Sequence, residues 1–273
     1  MKICQIEGRK QISLPTMNVL NPIEKKEIIT FSATVIALSS LICFISYKLG
    51  DANISILAVF TPSFVALILT AIAKGKSGVY ELFVKQTIEK TAFKWFLLSL
   101  IGIPILVSFA VLTSLSFDVS RFDLRTTQIL PQIIVIVFIA IGEEYGWRGF
   151  LLPRLMNKFN LFYSSIALGL IWGFWHFPAY LIGTGVPLQM DFMVFLIWVV
   201  LGTLFISWIY YYTKSILTSI LAHISANAAF NYLPILPEFT GNMIAFWIFI
   251  VYLSVLVITI YFLRREDLIN GKK

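Results

Sequence analysis

The 22 residues from Ile129 to Phe150 read ILPQIIVIVFIAIGEEYGWRGF. A helix of this length covers about 30 Å of hydrocarbon at 1.5 Å per residue. The purely apolar run ends at Ile141, so the stretch crosses a membrane only if Glu143 and Glu144 lie inside the helix. An ionisable group in hydrocarbon costs at least a few kcal/mol, so such residues usually face a cavity or each other. The stretch therefore predicts both a membrane helix and a functional site.

The composition of the whole chain is that of a membrane protein. Of its 273 residues, 59% are hydrophobic and 13% are charged, whereas soluble domains are near half apolar and a quarter charged. The long apolar runs leave no room for a separate water-soluble core. We therefore expect one integral-membrane domain.

Apolar stretches of about 20 residues recur eight times, which predicts an all-α bundle of about eight transmembrane helices. The fourth and seventh stretches are the weakest. The purely apolar run of the fourth ends at Ile141, and the seventh is short and is interrupted by His223 and Asn227. The eight stretches run from Ile28 to Tyr47, Ile54 to Ala73, Trp95 to Leu115, Ile129 to Phe150, Leu161 to Ile182, Phe192 to Tyr212, Ile216 to Tyr232 and Met243 to Leu263.

The distribution of Lys and Arg predicts the orientation of these helices, because short cytoplasmic loops collect basic residues. With eight spans, 18 of the 21 basic residues fall on the side of both termini and 3 fall on the other side. We therefore predict a multi-pass protein of the cell membrane with both termini cytoplasmic. The predicted parts are an N-terminal arm at 1–27, a membrane domain at 28–263 and a tail at 264–273.

The net charge of +7 follows from the same distribution. The basic residues are spread over loops at one membrane face, where they meet anionic lipid head groups. We therefore expect contact with the lipid bilayer and no binding of nucleic acid. The first 27 residues contain no apolar core of a cleavable signal peptide, so the first span is expected to act as an uncleaved anchor.

The first group of unusual residues lies in the sequence GEEYGWRG at 142–149. In a helix, Glu144 and Arg148 lie four residues apart on one face and can pair. Glu143 is rotated by about 100° from Glu144, so one carboxylate can be held by the arginine while the other faces a cavity as a base. The alternative is a helix end at the membrane interface, with Trp147 among the aromatic residues that collect there.

The second group surrounds His176, which follows Gly169 and Gly173 in the fifth stretch. Two glycines four residues apart permit close approach of helices. His176 comes four residues after Trp172, whose ring can stack on or shield the imidazole. The alternative is a buried structural histidine bonded to a backbone carbonyl that Pro178 leaves free.

The third group lies on one stripe of the seventh stretch, where His223, Asn227 and Asn231 recur at intervals of four residues. Such a stripe predicts a polar surface facing into the bundle, used either for hydrogen bonds between helices or for a site. The chain contains two histidines, and both lie within predicted spans.

Together the three groups supply what hydrolysis needs. A carboxylate can take a proton from water, and an imidazole can share that proton or hold a metal. A second imidazole and an amide can donate hydrogen bonds to the oxyanion that forms at an attacked carbonyl. No Ser or Cys is evidently paired with a base, so attack by activated water is expected. A non-catalytic membrane scaffold or bacteriocin-immunity protein, or a proton-coupled transporter, remains an alternative.

The order Glu-Glu-x-x-x-Arg, aromatic-x-x-x-His and His-x-x-x-Asn resembles the CPBP (CAAX protease and bacteriocin-processing, or Abi) family of intramembrane proteases, which includes type II CAAX prenyl endopeptidases. The resemblance covers residues 143–227. It implies an all-helical bundle whose cavity opens to the cytoplasm and to the side of the membrane. It also implies an endopeptidase acting on a membrane-tethered protein or peptide, of unknown oligomeric state. Trp172 stands where the family often has Phe.

The resemblance also implies a role for each residue. Glu143 is the water-activating base, assisted by His176, and Glu144 with Arg148 supports it. His223 and Asn227 are then oxyanion donors or metal ligands. Family members are commonly described as metalloproteases. Zinc is therefore a possible cofactor, with Glu143, or Glu144 in its place, His176 and His223 as the predicted ligands.

Depth in the membrane provides a test of a single site. At 1.5 Å per residue, Glu143 lies roughly 16 Å from Arg154, and His223 lies roughly 14 Å from Lys214. His176 lies roughly 27 Å from Lys158 on the same count. A single site therefore requires a fifth helix that begins well out in the cytoplasm or tilts strongly.

Overall fold

The computed structural model describes residues 22–87, 89–125 and 129–269. Within these ranges the chain is helical and contains no strand, which confirms the predicted all-α fold. Most of the predicted arm and the last four residues of the predicted tail lie outside the described residues.

The described helices are numbered in chain order. They are α1 (Pro22–Leu49), α2 (Thr61–Tyr80), α3 (Phe93–Ser114), α4 (Ile129–Glu144), α5 (Leu152–Met156), α6 (Leu161–Trp175), α7 (Phe177–Leu181), α8 (Phe192–Thr213), α9 (Ile216–Tyr232), α10 (Pro237–Thr240), α11 (Ile244–Leu263) and α12 (Arg265–Leu268). Turns of 3₁₀-helix occupy Ala52–Phe60 and Val119–Arg121, and π-helix occupies Glu81–Lys85 and Tyr145–Leu151.

Helices form at all eight predicted stretches, and six of them are long and apolar enough to cross a membrane among the described residues. These six are Lys25–Leu49, Ala52–Lys85, Phe93–Ser114, Ile129–Met156, Phe192–Thr213 and Ile244–Leu263. The other two, α6 with 15 residues and α9 with 17, are shorter.

Two predicted boundaries differ from the structure. The fourth stretch was predicted to end at Phe150, but helical structure continues from α4 through the π-helix and α5 to Met156. The fifth was predicted to reach Ile182, but α6 ends at Trp175 and α7 begins at Phe177. Pro178 explains this break, because proline has no N–H to continue the helix and restricts the residue before it.

The connections between the helices gather at two ends of the bundle. The first end holds the start of α1, the segments 85–92, 152–160 and 213–216, and the segment 264–269. Three hydrogen bonds join these segments: Arg154 to Glu27, Asn160 to the Ile269 carbonyl, and the Ile216 N–H to the Gln86 carbonyl.

The second end holds the segments 50–60, 115–125, 183–191 and 233–243. Three contacts join them: the Ser55 and Thr184 hydroxyls at 3.1 Å, the Leu188 N–H and Glu238 Oε2 at 2.8 Å, and the Arg125 N–H and the Tyr232 carbonyl at 3.0 Å. The described chain therefore passes between the two ends eight times, with α6 and α9 among the passes.

Glycines allow the close helix packing on which the site depends. A Cβ atom on Gly169 would lie 2.9 Å from Cα of Val200 in α8, and one on Gly173 would overlap Leu196. The predicted close approach at these two glycines is therefore confirmed. A Cβ on Gly146 would lie 2.5 Å from the Pro62 carbonyl carbon, so this glycine lets the π-helix beside the two glutamates press against α2.

Candidate active site

Four of the six predicted site residues line one cavity of about 650 Å³ inside the bundle. They are Glu143 from α4, His176 at the end of α6, and His223 and Asn227 from α9. The other two, Glu144 and Arg148, lie behind the cavity wall with no exposed surface. The structure thus brings together residues that are up to 84 positions apart in the chain.

Two tryptophans hold the Glu143 carboxylate. Trp172 Nε1–H donates to Glu143 Oε2 at 2.7 Å, and Trp147 Nε1–H approaches the same oxygen at 3.4 Å. Neither indole engages Oε1. Trp147 is fully buried, so its alternative placement at the membrane interface was wrong. The sequence predicted an aromatic shield at Trp172 but did not predict that either indole would position the carboxylate.

Glu144 joins a cation and an imidazole. Arg148 Nη1–H donates to Glu144 Oε1 at 2.7 Å, which confirms the pairing predicted from the helical spacing. His223 Nδ1 lies 2.8 Å from the same oxygen. Because an ionised carboxylate only accepts hydrogen bonds, Nδ1 of His223 carries a proton. The contact between Glu144 and His223 joins residues 79 positions apart, a separation that no local sequence pattern predicts.

The buried arginine also contacts the cavity wall. Its Cζ lies 4.7 Å from the centre of the Trp172 ring, a distance at which a cation is attracted to an indole face. Arg148 lies in the π-helix that follows α4. Single-turn π-helices inside α-helices occur frequently at functional sites, but nothing in the sequence analysis predicted this one.

His176 lies at the break between α6 and α7. Its Nδ1 is 2.9 Å from the Trp172 carbonyl oxygen, and since a carbonyl only accepts, Nδ1 carries the proton. Nε2 of the neutral ring is then an acceptor. The carbonyl is not the one that Pro178 leaves free, which belongs to the residue four positions before that proline. His176 also lines the cavity, so the predicted structural role does not exclude a role in the site.

The depth difficulty at His176 is resolved by Trp172. The Trp172 ring centre lies 6.0 Å from that of His176 and 5.4 Å from that of His223, while its Nε1–H bonds to Glu143. One side chain therefore contacts all three groups. Glu143, His176 and His223 therefore line one cavity, and a shared catalytic role for them stays a prediction.

The stripe on α9 faces the cavity. His223, Asn227 and Asn231 all line it, as their spacing predicted. The Asn231 Nδ2–H donates to the Asn227 carbonyl of its own helix at 2.8 Å rather than to a neighbouring helix. The stripe is thus a polar wall of the cavity.

The predicted zinc ligands are not assembled in the described parts of the chain, where no group of three or more His, Cys, Asp or Glu side chains is placed to hold a metal ion. The donor types suit zinc, because His176 and the neutral form of His223 each have Nε2 as an acceptor. The separation of Glu143, His176 and His223 does not suit zinc. Zinc remains a prediction that metal analysis of the purified protein would check.

The cavity extends to the second end of the bundle. Its lining includes Asn53, Thr184 and Glu238 from the connections gathered there. The first described helix begins at the opposite end, and the last described helix ends there.

Fold and site together define a multi-pass, all-helical membrane protein with a buried carboxylate and imidazole site. Residues 125–229, which contain all six predicted site residues, match the family model described as type II CAAX prenyl endopeptidase Rce1-like. Over these residues the chain is therefore similar to the Rce1-like family, in agreement with the resemblance of its three motifs.

A curated relative matches a longer part of the chain. A protein named CAAX prenyl protease 2, from Methanococcus maripaludis, is 27% identical over 149 residues, which are 50% of this chain and 54% of the relative. The chain thus spans about half the length of that relative.

Proposed function

We propose that this protein is a CAAX-protease-like intramembrane endopeptidase that hydrolyses a peptide bond of a membrane-associated protein or peptide. One observation carries the proposal. Glu143, His176, His223 and Asn227, from three separate helical segments, line one cavity inside an apolar bundle. The Rce1-like match and the name of the curated relative support the same class of reaction.

Glu143 acts as the general base. Both indole N–H groups approach its Oε2, so Oε1 is the oxygen left to accept a proton from water. His176 donates from Nδ1 to a backbone carbonyl, so its neutral Nε2 accepts the other water proton in a hydrogen bond. Two acceptors then orient the water for attack on the peptide carbonyl carbon, an arrangement that positions and deprotonates the nucleophile together.

The attack forms a carbon–oxygen bond and places negative charge on the former carbonyl oxygen. The Asn227 side-chain N–H donates to that oxyanion. His223 donates as well when it carries a proton on Nε2 in addition to the Nδ1 proton that faces Glu144. Donors aligned before the reaction stabilise such charge without reorganising. The carbon–nitrogen bond then breaks as Glu143 returns its proton to the leaving amine.

Glu144 and Arg148 act as positioning residues. Glu144 fixes the orientation of the His223 ring, and Arg148 balances the charge of Glu144. Partners of this kind hold a working imidazole in one tautomer and one direction. Both residues are fully buried behind the cavity wall, where they do not touch the substrate.

The test is cleavage of a membrane-tethered peptide by the purified protein in detergent. Wild type is compared with Glu143→Ala, His223→Ala and Ser207→Ala. Ser207 is a matched control, because it is buried in α8, does not line the cavity, and its hydroxyl has no hydrogen-bond partner among the described residues.

We expect wild type and Ser207→Ala to cleave. Glu143→Ala and His223→Ala should each lose about 100-fold or more in activity, the usual size of a general-base contribution and of an oxyanion donor's contribution respectively. Equal activity in all four proteins would contradict the proposal. If none of the four proteins cleaved the peptide, the result would favour the non-catalytic scaffold.

A further inference from the structure

We infer that Glu238 determines substrate specificity by binding a lysine or arginine side chain of the peptide that enters the cavity. The inference rests on the proposed endopeptidase function, because it concerns the substrate of the same cavity. It adds to that function a preferred charge near the cleaved bond and the residue that recognises this charge.

Glu238 lies on the lining of the cavity that holds Glu143, His176, His223 and Asn227. It belongs to α10, at the second end of the bundle. Apart from the two histidines, the charged residues among the described lining are Glu143 and Glu238, and none is Lys or Arg. Charges interact more strongly in a cavity of low dielectric than in water. The cavity therefore favours a cationic group over an anionic one.

One oxygen of the Glu238 carboxylate is held in place by the backbone. The Leu188 N–H donates to Glu238 Oε2 at 2.8 Å, and this bond joins α10 to the connection between α7 and α8. No other hydrogen bond reaches Glu238 among the described residues, so Oε1 is left to accept from a substrate. Because the carboxylate is already oriented, binding an ammonium or guanidinium group costs it little further ordering.

The described part of the chain supplies no cation to Glu238. No Lys or Arg nitrogen of this part lies within 4.0 Å of its carboxylate oxygens. Arg125 is engaged elsewhere, with its Cζ 3.3 Å from the centre of the Phe239 ring and its Nη1 3.5 Å from the Asn231 carbonyl oxygen. A basic side chain of the substrate is therefore the counter-ion that Glu238 would gain on binding.

The test compares membrane-tethered peptides that differ in one charge. Each peptide carries lysine, norleucine or glutamate at one position, and that position is moved by one residue at a time along both sides of the cleaved bond. Norleucine is the neutral comparison, because it keeps an unbranched apolar chain without the ammonium group. Specificity is then the difference in KM between peptides of equal length.

Wild type is compared with Glu238→Gln, Glu238→Lys and Asp191→Asn. Glu238→Gln removes the charge but keeps a side-chain oxygen that accepts from the Leu188 N–H, so it separates recognition of a cation from the tether between the two connections. Asp191→Asn is the matched control. The Asp191 carboxylate also accepts a backbone N–H at 2.8 Å, from Met193, at the same end of the bundle, but Asp191 does not line the cavity.

At one or more positions, we expect wild type and Asp191→Asn to cleave the lysine peptide with a KM about tenfold lower than for the norleucine peptide. Glu238→Gln should lose this preference, and Glu238→Lys should prefer the glutamate peptide. If Glu238→Lys does not fold, the comparison of wild type with Glu238→Gln decides. No preference for lysine in wild type, or the same preference in Glu238→Gln, would overturn the inference.

Peptide binding keeps this result separate from the proposed function. Fluorescence anisotropy measures binding to Glu143→Gln in detergent, where the charge of Glu143 no longer contributes. Binding of the lysine peptide about tenfold more tightly than the norleucine peptide, lost in Glu143→Gln/Glu238→Gln, would support the role of Glu238 even if wild type cleaved nothing. Cleavage or binding without a charge preference, or no binding of any peptide, would contradict it.

Discussion

Glu144→Gln should lower the stability of this protein, whereas Glu143→Gln should not, although the two residues are adjacent. Glu144 Oε1 accepts from Arg148 at 2.7 Å and lies 2.8 Å from His223 Nδ1, and the glutamate and arginine side chains are fully buried. Glu144→Gln leaves the arginine charge without a counter-ion. Removing one partner of a buried pair costs about 3–5 kcal/mol.

Glu143 has no ion pair within 4.0 Å among the described residues, and its partners are the two indole N–H groups. Burying an ionised carboxylate without a cation is costly, and the amide oxygen of glutamine can still accept from Trp172. Glu143→Gln should therefore leave the free energy of unfolding unchanged or raise it. It should also lower peptide cleavage by about 100- to 10,000-fold, because an amide cannot take the proton.

Thermal unfolding in detergent, followed by tryptophan fluorescence, measures the difference in stability between the two variants. At roughly 2–4 °C per kcal/mol for a chain of this size, Glu144→Gln should lower the melting temperature by about 6–20 °C, while Glu143→Gln should not lower it.

Glu81→Gln is the matched control, because Glu81 pairs with Lys85 at the same spacing of four residues but at the surface. Exposed pairs contribute about 0–1 kcal/mol. If Glu143→Gln melted as low as Glu144→Gln, the assignment of separate roles to the two carboxylates would be refuted.

Three further predictions follow from packing, hydrogen bonding and charge. Gly146→Ala should lower the free energy of unfolding by about 1–3 kcal/mol through a clash with the α2 backbone. Gly202→Ala has open space at its Cβ and should not lower it. The melting temperatures of the two variants and the wild type test this prediction. Trp172→Phe keeps an aromatic wall but removes the N–H that holds Glu143 at 2.7 Å, so kcat/KM should fall about tenfold or more, and an unchanged value would contradict the positioning role. Peptides with carboxylates near the cleaved bond should be cleaved roughly tenfold more slowly than matched neutral peptides, because the cavity lining contains Glu238 and no Lys or Arg among the described residues. In the cleavage assay, Glu238→Gln should reduce the difference in rate between the acidic and the neutral peptides.

The sequence alone was sufficient for features that depend on composition or on one helical period. Long apolar runs predicted an all-helical membrane protein, because lipid admits few other structures. A spacing of four residues predicted the pair of Glu144 and Arg148 and the polar stripe from His223 to Asn231, because the helix brings such residues to one face. The order of three motifs also predicted the family to which residues 125–229 match.

Contacts between helices required the tertiary structure. Trp172 reaches Glu143 across 29 positions, and His223 reaches Glu144 across 79; neither separation has a period that a sequence displays. The end of the bundle to which the cavity extends was likewise decided by packing, since it depends on which connections line the cavity. Local periodicity determines which face of a helix is polar, whereas the partner of that face depends on how all the helices pack together.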